Sequence, residues 1–173
     1  PAPPTDDMGE AREVKRIIAM RSTKDVESIK NHDQEPFYAI RKFCERNQLV
    51  FHEGEFDQII DESVPIIRHF KNKFDRKRPI EVDDTINVLP SKTNNTPSYP
   101  SGHAAQSRLI AKYVAGKFPQ HEAALIEAGN ECGYGRVQAG FHYPSDYESG
   151  NLLGLSLINI SEPTRPLYIS YDV

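Results

Sequence analysis

Along nearly the whole chain, apolar residues recur at intervals of three and four, and no stretch alternates with the period of two that a half-buried strand requires. Val14, Ile17, Ile18 and Met20 predict a helix over 10–21, and Phe37, Ile40, Phe43 and Cys44 predict another over 36–49. Phe56, Ile59, Ile60, Ile67, Phe70 and Phe74 predict one long helix, with a kink or break at Pro65. Helical patterning returns over 102–118, 122–140 and 144–160. The fold class this dictates is all-α, a helical bundle. Only 79–100 escapes the pattern, with Thr93-Asn94-Asn95-Thr96-Pro97 at its centre. A loop that long in a compact domain is either functional or disordered.

The 173 residues suit one domain, placed over 7–173, behind a flexible, proline-rich lead-in at 1–6. Hydrophobic residues at 38% supply one core of that size. The net charge of −4 argues against nucleic acid or anionic membrane as a partner. The most apolar stretch, 152–160, is too short to span a bilayer and is broken by Gly154, Ser156 and Asn159. A soluble protein is therefore expected. No basic start followed by an apolar run is visible, and a periplasmic, secreted or cytoplasmic location is left open. Cys44 and Cys132 fit neither a CxxC nor a zinc spacing and are expected to be isolated buried thiols. The oligomeric state has no signature.

Three short segments carry chemistry. In Lys71-Asn-Lys-Phe-Asp-Arg-Lys-Arg78-Pro79, a seven-residue spacing is nearly two helical turns, so Lys71 and Arg78 are expected on one helical face, with Pro79 ending the helix. Lys73, Arg76 and Lys77 are expected to be solvated. In Pro100-Ser101-Gly102-His103, Ser101 is an N-cap candidate, and Gly102 lets an anion approach free backbone N–H groups at a helix start. Tyr99, beside it, is a candidate contact for a substrate's organic group. In Arg136-Val-Gln-Ala-Gly-Phe-His142-Tyr-Pro144-Ser-Asp146, Pro144 suits the first helical position. Asp146 can then reach back to one nitrogen of His142 and leave the other free as a nucleophile.

Together the segments read Lys-x6-Arg-Pro, Pro-Ser-Gly-His and Arg-x5-His-x3-Asp. In that order they resemble the type 2 phosphatidic acid phosphatase superfamily, which includes the class A non-specific acid phosphatases and the vanadium haloperoxidases. The resemblance covers about residues 71–146. It implies a helical bundle in which the loop 79–101 belongs to the active site. Lys71, Arg78 and Arg136 would hold phosphate oxygens, assisted by Ser101 and the Gly102 N–H. His142 would be the nucleophile, Asp146 its orienting partner and His103 the acid that protonates the leaving group. One departure is Gly135, where the family's third motif begins with serine; weaker turnover or altered specificity is expected from it.

The expected activity is metal-independent hydrolysis of a small-molecule phosphate ester through a phosphohistidine, with no cofactor. Three side-chain cations and backbone dipoles supply the positive charge that a metal often provides. Glu81, Asp83 and Asp84 are expected to be solvated rather than to bind metal, and His32, His52, His69 and His121 to be surface or structural. Vanadate is expected to inhibit. A vanadate cofactor belongs only to the alternative reading, a haloperoxidase, for which no halide site is visible. A lipid phosphate presented from micelles is a further alternative substrate, and a non-catalytic anion-binding module would leave His103, His142 and Asp146 idle.

Overall fold

The computed structural model describes residues 1–161, and the expected domain runs past them to 173. Among the described residues eight α-helices form, with one 3-10 turn: α1 (Asp7–Ala19), α2 (Thr23–Asp33), α3 (Tyr38–Arg46), α4 (Glu55–Phe74), α5 (Pro79–Val82), α6 (Gly102–Lys117), the turn Pro119–His121, α7 (Glu122–Gln138) and α8 (Pro144–Ser161). No strand occurs among the described residues, so the all-α bundle stands.

Helix α6 is central, packed between α7 and α8 and also against α3 and α4. Small residues set that closeness. A Cβ added at Gly150 of α8 would lie 2.8 Å from Ala104 Cβ, and one at Gly133 of α7 would lie 3.2 Å from Ala104 Cα. The main core gathers Phe37, Ile40, Phe56, Ile59, Leu109, Ile110, Val114 and Leu125 where α3, α4, α6 and α7 meet. Both cysteines are buried and free, and burial pushes their thiols up to about 11 for Cys44 and about 12 for Cys132.

Two helices differ from the sequence reading. Helix α4 is one element through Pro65, so a break into two helices does not occur. Pro65 and Asp61, whose carbonyl loses its i+4 donor, are both exposed, so that oxygen is open to water. Helix α2 has too few apolar residues to announce itself by periodicity. Its signal is the capping box, in which the Ser22 hydroxyl accepts from Asp25 N and the Asp25 carboxylate accepts from Ser22 N. At the start of the chain, Asp6 caps α1 and Pro1 O accepts a bond from Tyr99 Oη at 2.6 Å.

Candidate active site

Lys71 and Arg78 reach the same cavity, but not from one helical face. Helix α4 stops at Phe74, Asp75 turns the chain at φ 44, and Arg78 is the extended N-cap residue of α5. Pro79 disfavours helical backbone at the residue before it, so the helix cannot continue to Arg78. Arg136 and His142 are set by the end of α7. Phe141 N bonds Arg136 O at 3.0 Å, Gly140 N bonds Val137 O at 2.9 Å, and Gly140 sits at φ 87. This is the paired bonding of a Schellman turn, which needs a residue tolerant of left-handed backbone. It explains why glycine falls between the arginine and the histidine.

The three cations converge under the loop that follows α5, and each is braced from it. Lys71 Nζ donates to Pro97 O at 2.6 Å, and Arg78 donates through Nε to Thr96 O at 2.8 Å. Arg136 donates through Nη2 to Thr93 Oγ1 at 3.1 Å. The structure-poor stretch is thus a packed collar, tied to the bundle by Leu89 N to Ala139 O and Ser98 N to Arg76 O. Burial and mutual repulsion act on the cations. Lys71 is pushed down to about 7, first by burial and then by Arg78. Arg78 falls to about 10, chiefly by burial, and Arg136 is lowered too, although Asp33 opposes it. Arg136 keeps its Nε buried without an acceptor among the described residues.

His142 is held at both nitrogens. Its Nδ1 lies 3.1 Å from Asp146 Oδ2, and its Nε2 lies 3.0 Å from Arg78 Nη1. A carboxylate only accepts and a guanidinium only donates, so the ring is neutral, with the proton on Nδ1 and the lone pair on Nε2. Burial and the nearby cations Arg78, Lys71 and Arg136 hold its pKa well below the usual histidine value. Asp146 is fully buried. Its Oδ2 also accepts from Ser98 Oγ and, at 2.9 Å, from Tyr143 N, while its Oδ1 accepts from Arg76 Nη1 at 2.8 Å. Burial pushes this carboxyl up to about 6 against the pull of those donors.

His103 faces the same cavity from the first turn of α6, and its Nε2 donates to Asp33 O at 2.8 Å. That leaves Nδ1 as the nitrogen able to exchange a proton. Burial and then Arg136 push the ring down to about 3, so it too is neutral near pH 7. Gly102 lines the cavity, whereas Ser101 is wholly buried behind it, its Oγ accepting from Ala104 N at 3.3 Å as the cap of α6. The cavity has a volume of about 660 Å³. Pro36 and, from α4, Ile60, Val64 and Ile67 form its apolar wall.

Two residues escaped the motifs. Arg76, expected to be solvated, is buried, because Asp146, Asp7 and Glu10 surround its guanidinium. Lys73 and Lys77 are exposed as expected. Asp33, on the unforeseen α2, pairs with Arg136 Nη1 at 2.9 Å and also accepts from Ser91 Oγ and Lys92 N. The donors bring its carboxyl down to about 2 even though burial raises it. Nothing local in the sequence marks either pairing.

Other expectations sort by burial. Tyr99 does not line the cavity; its ring packs edge-on to Phe74, 5.3 Å between centroids, because the Tyr99–Pro100 segment turns it to the far side. His32 is structural, bonded to Ser28 O at 2.8 Å and Ala39 N at 3.2 Å. His52 and His69 are exposed, and His121 packs on Phe43. Glu81 caps α5 through Arg78 N, and Asp83 binds Lys15 and Thr85. Among the described residues no group of three or more His, Cys, Asp or Glu side chains is placed to hold a metal ion. None of the described helices is long and apolar enough to cross a membrane. At Gly135 a Cβ would meet only Ile29 Cγ1, at 3.4 Å, so the missing side chain is not a matter of space.

The family model of the PAP2 superfamily matches residues 62–165. An acid phosphatase of Zymomonas mobilis is 31% identical over 86 residues, which is 48% of this chain and 33% of that protein. A non-specific acid phosphatase of Salmonella typhi is 33% identical over 87 residues, 49% of this chain and 35% of that protein. One from Providencia stuartii is 30% identical over 89 residues, 50% and 36% of the two chains. The match thus spans about a third of the length of these curated relatives.

Proposed function

The chain belongs to the PAP2 superfamily, and on that premise we propose that it hydrolyses small phosphate monoesters through a phosphohistidine at His142, without a metal ion. The observation that carries the proposal is the state of His142, whose lone pair on Nε2 is directed into a cradle of three cations while Asp146 holds the opposite N–H. Arg78 Nη1 donates to that lone pair. Ester oxygens that take up the Arg78, Arg136 and Lys71 donors release it for attack at phosphorus. The same donors stabilise the charge that spreads over the equatorial oxygens in the transition state. The unpartnered Nε of Arg136 supplies one further donor.

The proton for the leaving oxygen travels with the substrate. His103 is neutral in the free protein, and a phosphate monoester near its second pKa, about 6, carries one proton into the site. A bound phosphate also offsets the cationic repulsion that depresses His103, so the imidazole takes that proton at Nδ1 and passes it to the leaving group. In the second step neutral His103 accepts a proton from water, which displaces phosphate from His142. The optimum therefore lies on the acid side of neutrality. The apolar wall formed by Pro36, Ile60, Val64 and Ile67 accepts the organic part of the ester.

Rapid quenching with phosphorus-labelled aryl phosphate tests the mechanism. A phosphoramidate survives alkali and is lost in acid, and peptide mapping should place the label on His142. Label on Ser101, or inversion at phosphorus in a single displacement, overturns it.

A further inference from the structure

We infer that Arg76 is a positioning residue that keeps the Asp146 carboxylate ionised and aimed at His142, held in turn by Asp7 and Glu10 of α1. The inference rests on the phosphohistidine reading. Three observations carry it. First, Arg76 is the cation in direct contact with Asp146, at 2.8 Å from Oδ1, the oxygen that His142 does not use. A guanidinium at that edge leaves Oδ2 for the imidazole N–H and fixes the carboxylate plane. Second, the Arg76 fork is saturated: Nη1 also reaches Ser145 Oγ at 2.7 Å, Nε reaches Asp7 at 3.0 Å, and Nη2 reaches Asp7 at 2.9 Å and Glu10 at 2.5 Å. The Tyr143 ring covers the guanidinium carbon at 3.9 Å. Third, Glu10 bonds Ser145 N at 3.0 Å and Ser145 Oγ at 2.6 Å, so α1 grips the first turn of α8, the turn that carries Asp146. Residues 1–61 lie outside the matched family region, so the α1 half of this clamp is not part of the shared motif set.

Neutralising Asp146 would remove the anion that stabilises the Nδ1–H form of His142. Several groups set its charge. Arg76 from the α4–α5 connection acts directly, while Lys71 at the end of α4 and Arg78 at the start of α5 act across the cradle. His142 and Tyr143 precede it, and Asp7 and Glu10 stand behind Arg76. Deleting an opposite charge in contact raises a carboxyl pKa by about 1–3 units. The activity lost with Arg76 should therefore return as pH rises, which simple misfolding does not produce.

The test is kcat on an aryl phosphate from pH 5 to 8 for the wild type, Arg76→Gln and Arg76→Lys. The Gln variant should lose more than about tenfold relative to wild type at pH 5 and recover most of that by pH 8. The Lys variant keeps the charge, so its ratio to wild type should stay flat across the range. A folded Gln variant with a flat ratio overturns the inference. If the Gln variant does not fold, the Lys variant decides, because a ratio that rises with pH despite the retained charge also overturns it. Wild-type protein that releases no phosphate, or that carries its label elsewhere than His142, refutes the phosphatase reading instead.

Discussion

Replacing Asp146 by asparagine separates the charge of this residue from its shape. The carboxylate serves four donors: Ser98 Oγ, Tyr143 N and His142 Nδ1 at Oδ2, and Arg76 Nη1 at Oδ1. A carboxamide has one oxygen and one NH2 group to place against them. With its oxygen at Oδ2, the NH2 faces the Arg76 guanidinium across 2.8 Å, donor against donor. Reversed, the NH2 faces the Tyr143 N–H and forces His142 to accept at Nδ1, which puts the proton on Nε2 and removes the nucleophile. Either way a buried donor is left unpaired, at a cost of about 1–3 kcal/mol, and Arg76 retains Asp7 and Glu10, which keeps the loss within that range. About 2 kcal/mol lowers Tm by roughly 4–8 °C for a chain of this size. Either orientation lowers kcat: the reversed one loses the tautomer that catalysis needs, by about 10²–10⁴-fold, and the other loses the negative charge that stabilises the phosphorylated imidazole. Thermal melting followed by steady-state phosphate release measures both. A folded Asp146→Asn variant with kcat within about threefold of wild type would refute the proposed dependence of His142 on the Asp146 carboxylate.

Lys71 is pushed down to about 7 in the free protein, so it is charged below that pH and neutral above it. A bound phosphate restores its proton, and linkage then weakens competitive inhibition by a phosphate analogue of fixed charge about tenfold per pH unit above 7. Lys71→Arg, charged throughout, should flatten that dependence, and an unchanged slope speaks against Lys71 as a ligand. Exhaustive chelation and dialysis should leave the rate intact, since side-chain cations take the place of metal; loss of activity restored by magnesium or zinc contradicts this. Vanadate should inhibit competitively as a mimic of the five-coordinate transition state, and a wild-type rate unmoved by millimolar vanadate contradicts the assignment of the cradle.

Local periodicity and end signals settled much of this protein from sequence alone. The apolar spacing of 56–74, the Ser101 cap and Pro144 at a helix start all act within a few residues, so their signals survive without a structure. The three motifs likewise announced His103, His142, Asp146, Lys71, Arg78 and Arg136, all of which reach one site. Other features were not legible. Arg76 reads like its solvated neighbours Lys73 and Lys77, and only the packing of α1 across α8 places Asp7 and Glu10 around it. Asp33 lies 103 residues from Arg136, on a helix whose composition is too polar to stand out. Tyr99, adjacent in sequence to the anion site, ends outside the cavity against Phe74. The difference is physical. A helix or a cap is decided by contacts three or four residues apart, which the sequence displays, whereas burying a charge depends on which distant element arrives to pair with it, and only the tertiary fold decides that.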